Sequence, residues 1–157
     1  MKAFFKPILL SFFTILLFIS CTDDEIQPPV ISNVEVGAVH DEDHSDEDEH
    51  ADEGIAHPGE EMHIGADILA FARIESITVD IHSDEITPDA GEVAWEFEPQ
   101  VYTDVKYQVL NAELHEDIAV PANAALGEYH LYIIVVDEAG NSTTAEAHFD
   151  LVVEEGV

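Results

Sequence analysis

Apolar and polar residues alternate along seven stretches of the chain, and this alternation predicts β-strands. Ile77, Val79 and Ile81, for example, are separated by Thr78 and Asp80. The seven predicted strands are Val30–Val36, Met62–Ile68, Ile77–Ile81, Val93–Phe97, Val105–Val109, Glu128–Val136 and Ala145–Val153. No segment has sustained helical periodicity, so the pattern predicts an all-β domain.

The predicted domain covers residues 30–153 and includes an insertion rich in His, Asp and Glu at residues 40–61, which we expect to be disordered. Without this insertion the domain has about the 100 residues of an immunoglobulin-like sandwich. We therefore predict an immunoglobulin-like, seven-stranded antiparallel β-sandwich. Tyr129 is expected to be the corner tyrosine of such a fold, and Gly140-Asn141 suits the turn of the last hairpin.

The first twenty residues have the features of a signal peptide rather than of the folded domain. Lys2 and Lys6 precede an apolar run at residues 7–20, which is too short for a comfortable membrane span. The run ends in Leu17-Phe18-Ile19-Ser20-Cys21, which resembles the lipobox of bacterial lipoproteins. This resemblance implies that Cys21 carries a lipid anchor. Because Cys21 is the single cysteine, the chain has no internal disulfide.

Residues 21–29 form a short acidic tether between the lipidated cysteine and the domain. Thr22-Asp23-Asp24-Glu25 resembles the acidic export signal that sends lipoproteins of the Bacteroidota to the outer face of the outer membrane. The resemblance implies a surface-exposed protein held on the outer membrane through Cys21. A plain solvated linker, with the protein facing the periplasm, is the alternative.

The composition is strongly acidic, with 35 Asp and Glu against 4 Lys and Arg and a formal net charge of −31. After removal of residues 1–20, only Arg73 and Lys106 remain as basic residues. Such a surface repels phosphate backbones, which excludes nucleic acid as a partner, and its natural counterparts are cations.

One group of histidines lies in the acidic insertion, where imidazoles and carboxylates are interspersed. Side chains of this kind bind zinc, copper or nickel weakly and in several arrangements. The acidic residues lack the order of an EF-hand loop, so calcium is a weaker expectation. The candidate metal ligands of the loop are His40, His44, His50 and His57.

A second group of histidines lies on the predicted strands, where alternation tells which way each side chain points. On the third, sixth and seventh strands the apolar rows face the core, so His82, His130 and His148 face outward. These three strands are neighbours in an immunoglobulin-like sheet. The three histidines, together with Asp80 and Glu146, are therefore expected to share one outer face.

By the same argument His63 points outward from the other sheet, beside the predicted fifth strand and its extension to His115. We expect a second group there, formed by His63, His115 and Glu113. Strand register is not readable from the sequence, and a shift of two residues separates either group by about 7 Å. The alternative is that all of these histidines are ordinary polar residues of an exposed sheet.

Several stretches resemble an uncharacterised domain family of Bacteroidota lipoproteins whose function is unknown. They are Val79–His82, Asn111–Ile118 with Val120-Pro121, Gly127–His130 and Asp137–Asn141. The resemblance implies that the family's histidines correspond to His63, His82, His115 and His130. Some family members carry further histidines where this chain has Ser83–Ile86, which is a departure from the pattern.

The sequence contains no constellation that indicates catalysis. It has no thiol pair and no glycine-rich phosphate loop, and Ser45, Ser76 and Ser83 lack the context of a nucleophile. We therefore expect a binding protein and no enzyme. The leading hypothesis is a lipoprotein that binds zinc, copper or nickel through histidines. The alternative is a metal-independent adhesion module that contacts a protein or a glycan at the cell surface.

Overall fold

A computed structural model describes residues 26–38, 54–83 and 86–153. The predicted signal peptide and Cys21 lie outside these residues, as do His40, His44 and His50. Within the described residues there are eight strands, which are β1 (Val30–Ala38), β2 (Ile55–Ala56), β3 (Glu61–Leu69), β4 (Ile74–His82), β5 (Gln100–Tyr102), β6 (Asn111–Ala119), β7 (Gly127–Asp137) and β8 (Ser142–Leu151). In this part of the chain, no helix is long and apolar enough to cross a membrane.

The strands form two sheets. One has three strands in the order β1-β3-β6, and the other has five in the order β2-β8-β7-β4-β5. β2 pairs with β8 in parallel, and the other strand pairs are antiparallel. The predicted all-β sandwich is confirmed, with eight described strands instead of seven. β4, β7 and β8 are neighbours, as the third, sixth and seventh predicted strands were expected to be.

The core lies between the two sheets and is built from alternate residues of each strand. Ile77, Val79 and Ile81 of β4 are buried, and so are Tyr129, Leu131, Ile133 and Val135 of β7. Met62, Ile64, Ala66 and Ile68 contribute from β3. Burial of apolar area drives this packing, so the alternation leaves the intervening polar residues on the outer faces.

Two of the predicted strands are wrong. Around Val93, Trp95 and Phe97 the chain is irregular apart from a single parallel bridge between Val93 and Ala124. Trp95 is nevertheless buried, because its ring packs against the rings of Tyr129 and Phe149. The alternation in this stretch therefore comes from a loop that places an aromatic ring at the edge of the core.

The predicted strand Val105–Val109 is a series of turns, in which the Tyr107 amide donates to the Asp104 carbonyl over 2.9 Å. Val105 is 82% exposed, whereas Tyr107 is buried. The strand that pairs with β3 is instead β6, whose inward row includes Ala112, Leu114 and Ile118. Glu116 interrupts that apolar row, which is why alternation alone did not reveal the strand.

The described residues include the last part of the predicted insertion at residues 40–61. Ile55 and Ala56 form β2 and pair with Asp150 and Leu151 of β8, and Ala56 is fully buried. The end of the predicted disordered segment is therefore wrong: residues 54–61 belong to the sandwich, because β2 covers the edge of β8.

Tyr129 is the corner tyrosine that the sequence predicts. Its ring is buried, and its hydroxyl donates to the Ala125 carbonyl over 2.8 Å. At the other end of β7, the buried Asp137 accepts hydrogen bonds from the amides of Ala139 and Asn141. Gly140 has a φ of 84°, which permits the tight turn into β8. Both ends of β7 are thus held by side chains.

β1 contains an irregularity that reverses the direction of its side chains. Ser32 pairs with Asp67 and Glu35 pairs with Gly65, so β1 has one more residue between these pairs than β3 has. Asn33 lies at this bulge with a φ of 48°, a conformation that Asn tolerates better than most residues. The extra residue places Glu35 on the outer face.

Candidate functional site

A row of three histidines crosses the outer face of the five-stranded sheet. His82 of β4 pairs directly with His130 of β7, and His130 pairs with His148 of β8. Each one alternates with buried core residues, so all three side chains project away from the core. The structure thus brings together the three histidines that the sequence predicts for one face.

Three side chains in and beside this row have geometry suited to a metal ion. Glu128, His130 and His148 each offer one donor atom, and these atoms lie within 4.8 Å of one another. The rings of His130 and His148 are edge to face, with centroids 4.4 Å apart. Among the described residues, this is the one group of three or more such side chains that is this compact.

Glu146 lies on the same face and contacts two of the three histidines. Its Oε1 lies 3.0 Å from His130 Nδ1, and it accepts a hydrogen bond of 2.8 Å from the Tyr132 hydroxyl. His148 Nε2 lies 3.7 Å from the same oxygen. The hydrogen bonds from His130 and Tyr132 lower the pKa of Glu146, and so does the charge of the nearby imidazoles. Glu146 is therefore held as a carboxylate that orients His130.

His130 is the most protected member of the row, since its side chain is 17% exposed, against 51% for His148 and 45% for His82. When the His130 proton is on Nδ1 and directed at Glu146, the metal-binding lone pair is on Nε2. His148 Nδ1 lies 3.2 Å from Glu128 Oε1. The site therefore combines one sheltered imidazole with two accessible ligands.

His82 lies beside the compact group rather than within it. Its ring stacks on that of Tyr132, with centroids 5.1 Å apart, and lies 6.0 Å from that of His130. Its Nδ1 is 3.8 Å from Asp80 Oδ2. The predicted Asp80 and Glu146 are thus both on this face, where Glu146 contacts His130 and Asp80 contacts His82.

The sequence argument missed Glu128. It lies two residues before His130 on β7, so the same alternation places it on the same face. The prediction included Asp80 and Glu146, which precede His82 and His148 by two residues, but left out Glu128, which has the same spacing from His130.

The predicted group on the other sheet is partly different from the expectation. His63 and His115 do come together, with His63 Nε2 3.4 Å from His115 Nδ1. Glu113 does not join them, because it pairs with Asp67 further along β3. Asp117 takes its place, with Oδ1 2.9 Å from His63 Nδ1.

The fourth loop candidate, His57, belongs to neither group. Its Nδ1 lies 3.0 Å from the Val152 carbonyl oxygen, at the edge of the sheet that β2 and β8 form. His57 is therefore positioned by the backbone of the chain after β8.

In sequence comparisons, no curated protein matches this chain. A family profile described as a domain of unknown function, DUF4625, matches residues 19–152. The match spans all eight strands and both histidine groups. It confirms the predicted resemblance to a domain family of unknown function, whereas the bacterial group and the lipid anchor stay predictions. The chain belongs to the DUF4625 family.

Proposed function

We propose that this protein is a cell-envelope lipoprotein that binds a divalent transition metal on the outer face of its five-stranded sheet. The observation that carries the proposal is the compact group of Glu128, His130 and His148, whose donor atoms lie within 4.8 Å of one another. Strand pairing supports it, because His130 and His148 are directly opposite each other on antiparallel strands.

The ligand types favour zinc, copper or nickel over calcium. Imidazole nitrogen is a good ligand for these transition metals, whereas calcium prefers six to eight oxygen ligands. Two imidazoles and one carboxylate leave a position on the ion for water or a ligand from a partner. Glu146 serves as the outer carboxylate that fixes the His130 ring, an arrangement common in zinc proteins.

The acidic insertion supplies additional ligands in this proposal. His40, His44 and His50 lie outside the described residues, and their role in collecting ions stays a prediction. The carbonyl of Gly54, the first described residue after these histidines, accepts a hydrogen bond of 2.7 Å from the Asp150 amide. Asp150 is two residues from His148 on β8, so Gly54 lies close to the strand that carries His148.

The test is a calorimetric titration of residues 22–157, which include every described strand, with zinc, copper, nickel and calcium. His40, His44 and His50 are replaced by Ala in all proteins, so that the loop does not contribute. Deleting the loop through His57 is unsuitable, because it would remove β2. His130→Ala/His148→Ala is compared with the matched control His57→Ala, which removes a histidine outside both groups.

We expect the loop-substituted protein and the His57→Ala control to bind a transition metal with a Kd below about 1 µM. The His130→Ala/His148→Ala variant should lose one equivalent. Affinity should fall in acid, because protons compete with the metal for imidazole. The proposal is wrong if the double variant binds as many equivalents as the control, or if no transition metal binds more tightly than about 1 mM.

A metal-independent interaction module is the second candidate. β5 is an edge strand of three residues, and its central Val101 is 60% exposed. Val105, in the turns that follow, is 82% exposed. Exposed apolar side chains beside an open strand edge are a feature of protein-binding surfaces. Failure of the metal titration would favour this candidate.

A further inference from the structure

The outer face of the three-stranded sheet has a depression centred on a glycine. Glu35 of β1 pairs with Gly65 of β3, and Gly65 pairs with His115 of β6, so the three residues form one row across the sheet. The depression has a volume of about 300 Å³ and is lined in part by Glu35, Gly65, Asp67 and His115. Polar side chains therefore surround a space where the middle strand has no side chain.

The absence of a side chain at Gly65 keeps this space open. Gly65 is not among the glycines with positive φ, so its backbone conformation does not require glycine. A Cβ added at this position would lie 3.3 Å from Glu35 Oε2 and 3.5 Å from His63 Nε2. Glycine weakens a strand interior and often marks a place where something approaches the backbone closely. Both a carboxylate and an imidazole nitrogen thus border the same gap.

The two histidines beside the gap have the spacing of a metal chelate. His63 Nε2 and His115 Nδ1 are 3.4 Å apart, which is long for a hydrogen bond between nitrogens. Two nitrogens that each bind a tetrahedral zinc ion at about 2.0–2.1 Å are separated by about 3.3 Å. The separation of the two nitrogens therefore already matches that of two ligands of one zinc ion, and a rotation of the rings turns both lone pairs toward it.

Asp117 directs His63 toward the gap. Its Oδ1 lies 2.9 Å from His63 Nδ1, so a His63 ring that donates from Nδ1 presents the Nε2 lone pair to His115. Metal-binding histidines commonly donate their second nitrogen to a carboxylate in this way. Asp117 is thus a positioning residue, and the side chain of His63 that it holds is 33% exposed.

Glu35 is the carboxylate that borders the same gap as His63 Nε2. Its oxygens and the two histidine nitrogens do not all lie within 4.8 Å of one another, so the Glu35 side chain must rotate toward the pair to bind the ion. The β1 bulge at Asn33 places it on the outer face, in the same row as His115. Asn33 Nδ2 donates a hydrogen bond of 2.6 Å to Asp67 Oδ2, which ties the bulge to β3. The backbone irregularity therefore has the effect of bringing a carboxylate to the edge of the histidine pair.

We propose that His63 Nε2, His115 Nδ1 and the Glu35 carboxylate form a second binding site for a divalent transition metal, best matched to zinc. This site lies on the opposite outer face from the Glu128, His130 and His148 group and does not depend on it. The protein would then carry one ion on each sheet.

The test uses zinc calorimetry on residues 22–157 with His40, His44 and His50 replaced by Ala. Three further proteins are made in this background: His63→Ala/His115→Ala, His130→Ala/His148→Ala, and the matched control Glu113→Gln, which removes a carboxylate from the same face of β6. Imidazole ¹⁵N spectra recorded with and without zinc report which ring nitrogens bind the ion. Fluorescence of Trp95, the single tryptophan, checks that each variant is folded.

We expect two equivalents of zinc for the background protein and for Glu113→Gln, and one for each double variant. In the His130→Ala/His148→Ala protein, zinc should shift His63 Nε2 and His115 Nδ1. The second site is excluded if that protein binds no zinc while His63→Ala/His115→Ala still binds one equivalent. That result would leave the proposed function intact, whereas loss of binding in all four proteins would contradict both proposals.

Two single substitutions keep the test decisive if the double variant does not fold. Asp117→Asn retains all three ligands, and we expect it to weaken zinc binding at this site about 10-fold to 100-fold. Gly65→Ala should also weaken binding, because its methyl group would occupy the space between Glu35 and His63. Unchanged zinc affinity and unchanged ¹⁵N shifts in both variants would overturn the proposal.

Discussion

Glu146 shows how a single exposed side chain is set by its neighbours on a sheet. It accepts hydrogen bonds from the Tyr132 hydroxyl and from His130 Nδ1, which are directed at the same carboxylate oxygen. These interactions lower its pKa. A group whose pKa is lower in the folded state stabilises the fold above its ordinary pKa, and this contribution is lost as the pH falls through the folded value.

We predict that Glu146→Gln reduces the free energy of unfolding at neutral pH, and that its difference from the unsubstituted protein shrinks as the pH falls below the ordinary glutamate value of 4.5. Urea unfolding followed by Trp95 fluorescence over this pH range measures the difference. Glu113→Gln, on the other sheet, is the matched control. A difference that stays constant from about pH 7 to about pH 3 would contradict the role assigned to Glu146.

At the scale of elements, β7 builds both the core and the candidate site. Its inward row buries Tyr129, Leu131 and Ile133, and its outward row presents Glu128 and His130. The Tyr129 hydroxyl donates to the Ala125 carbonyl, and this hydrogen bond ties the start of β7 to the residues before it. Burial raises the pKa of the Tyr129 hydroxyl above its ordinary value. Stability and ligand placement therefore depend on the same strand.

We predict that Tyr129→Phe lowers the free energy of unfolding by about 1–2 kcal/mol, because a buried hydrogen bond is lost and the Ala125 carbonyl is left without its donor. The metal stoichiometry should not change, since the ring still fills the core. Tyr132→Phe is the matched control: it removes a hydroxyl from the exposed face and should have a smaller effect on stability. If the two substitutions lowered the free energy of unfolding equally, Tyr129 would not have the stabilising role of a corner tyrosine.

At the scale of the whole molecule, Ile26 and the histidine row lie near opposite ends of β7. Asn141 Nδ2 donates to the Ile26 carbonyl, so the chain enters the domain beside the β7–β8 turn. His130 is seven residues from Asp137 along β7, a distance of about 23 Å. In our proposal the lipid is attached to Cys21, five residues before Ile26.

We predict that the protein incorporates a fatty acid through Cys21. The measurement is metabolic labelling with a fatty-acid analogue, followed by mass spectrometry of the mature N-terminus. Cys21→Ala should abolish the label, because the thiol that accepts the lipid is lost. Ser20→Ala, which keeps a small residue before the cysteine, should retain it. Labelling that persists in Cys21→Ala would disprove this anchor.

The sequence by itself determined which residues face the core and which face outward on most strands. Alternation placed Ile77, Val79 and Ile81 inside and His82 outside, because a β-strand turns successive side chains to opposite faces. It failed for Trp95 and Tyr107, which are buried although their backbones are irregular. An apolar pattern reports burial, and loops also bury aromatic rings.

Only the tertiary structure decided which outward residues meet. Register made His82, His130 and His148 one row, brought Glu128 beside that row, and replaced Glu113 by Asp117 beside His63. Register arises from turns, bulges and the packing of two sheets, all of which involve residues far apart in the chain. The bulge at Asn33 turns Glu35 outward, and its effect on the candidate site becomes visible when the strands are paired.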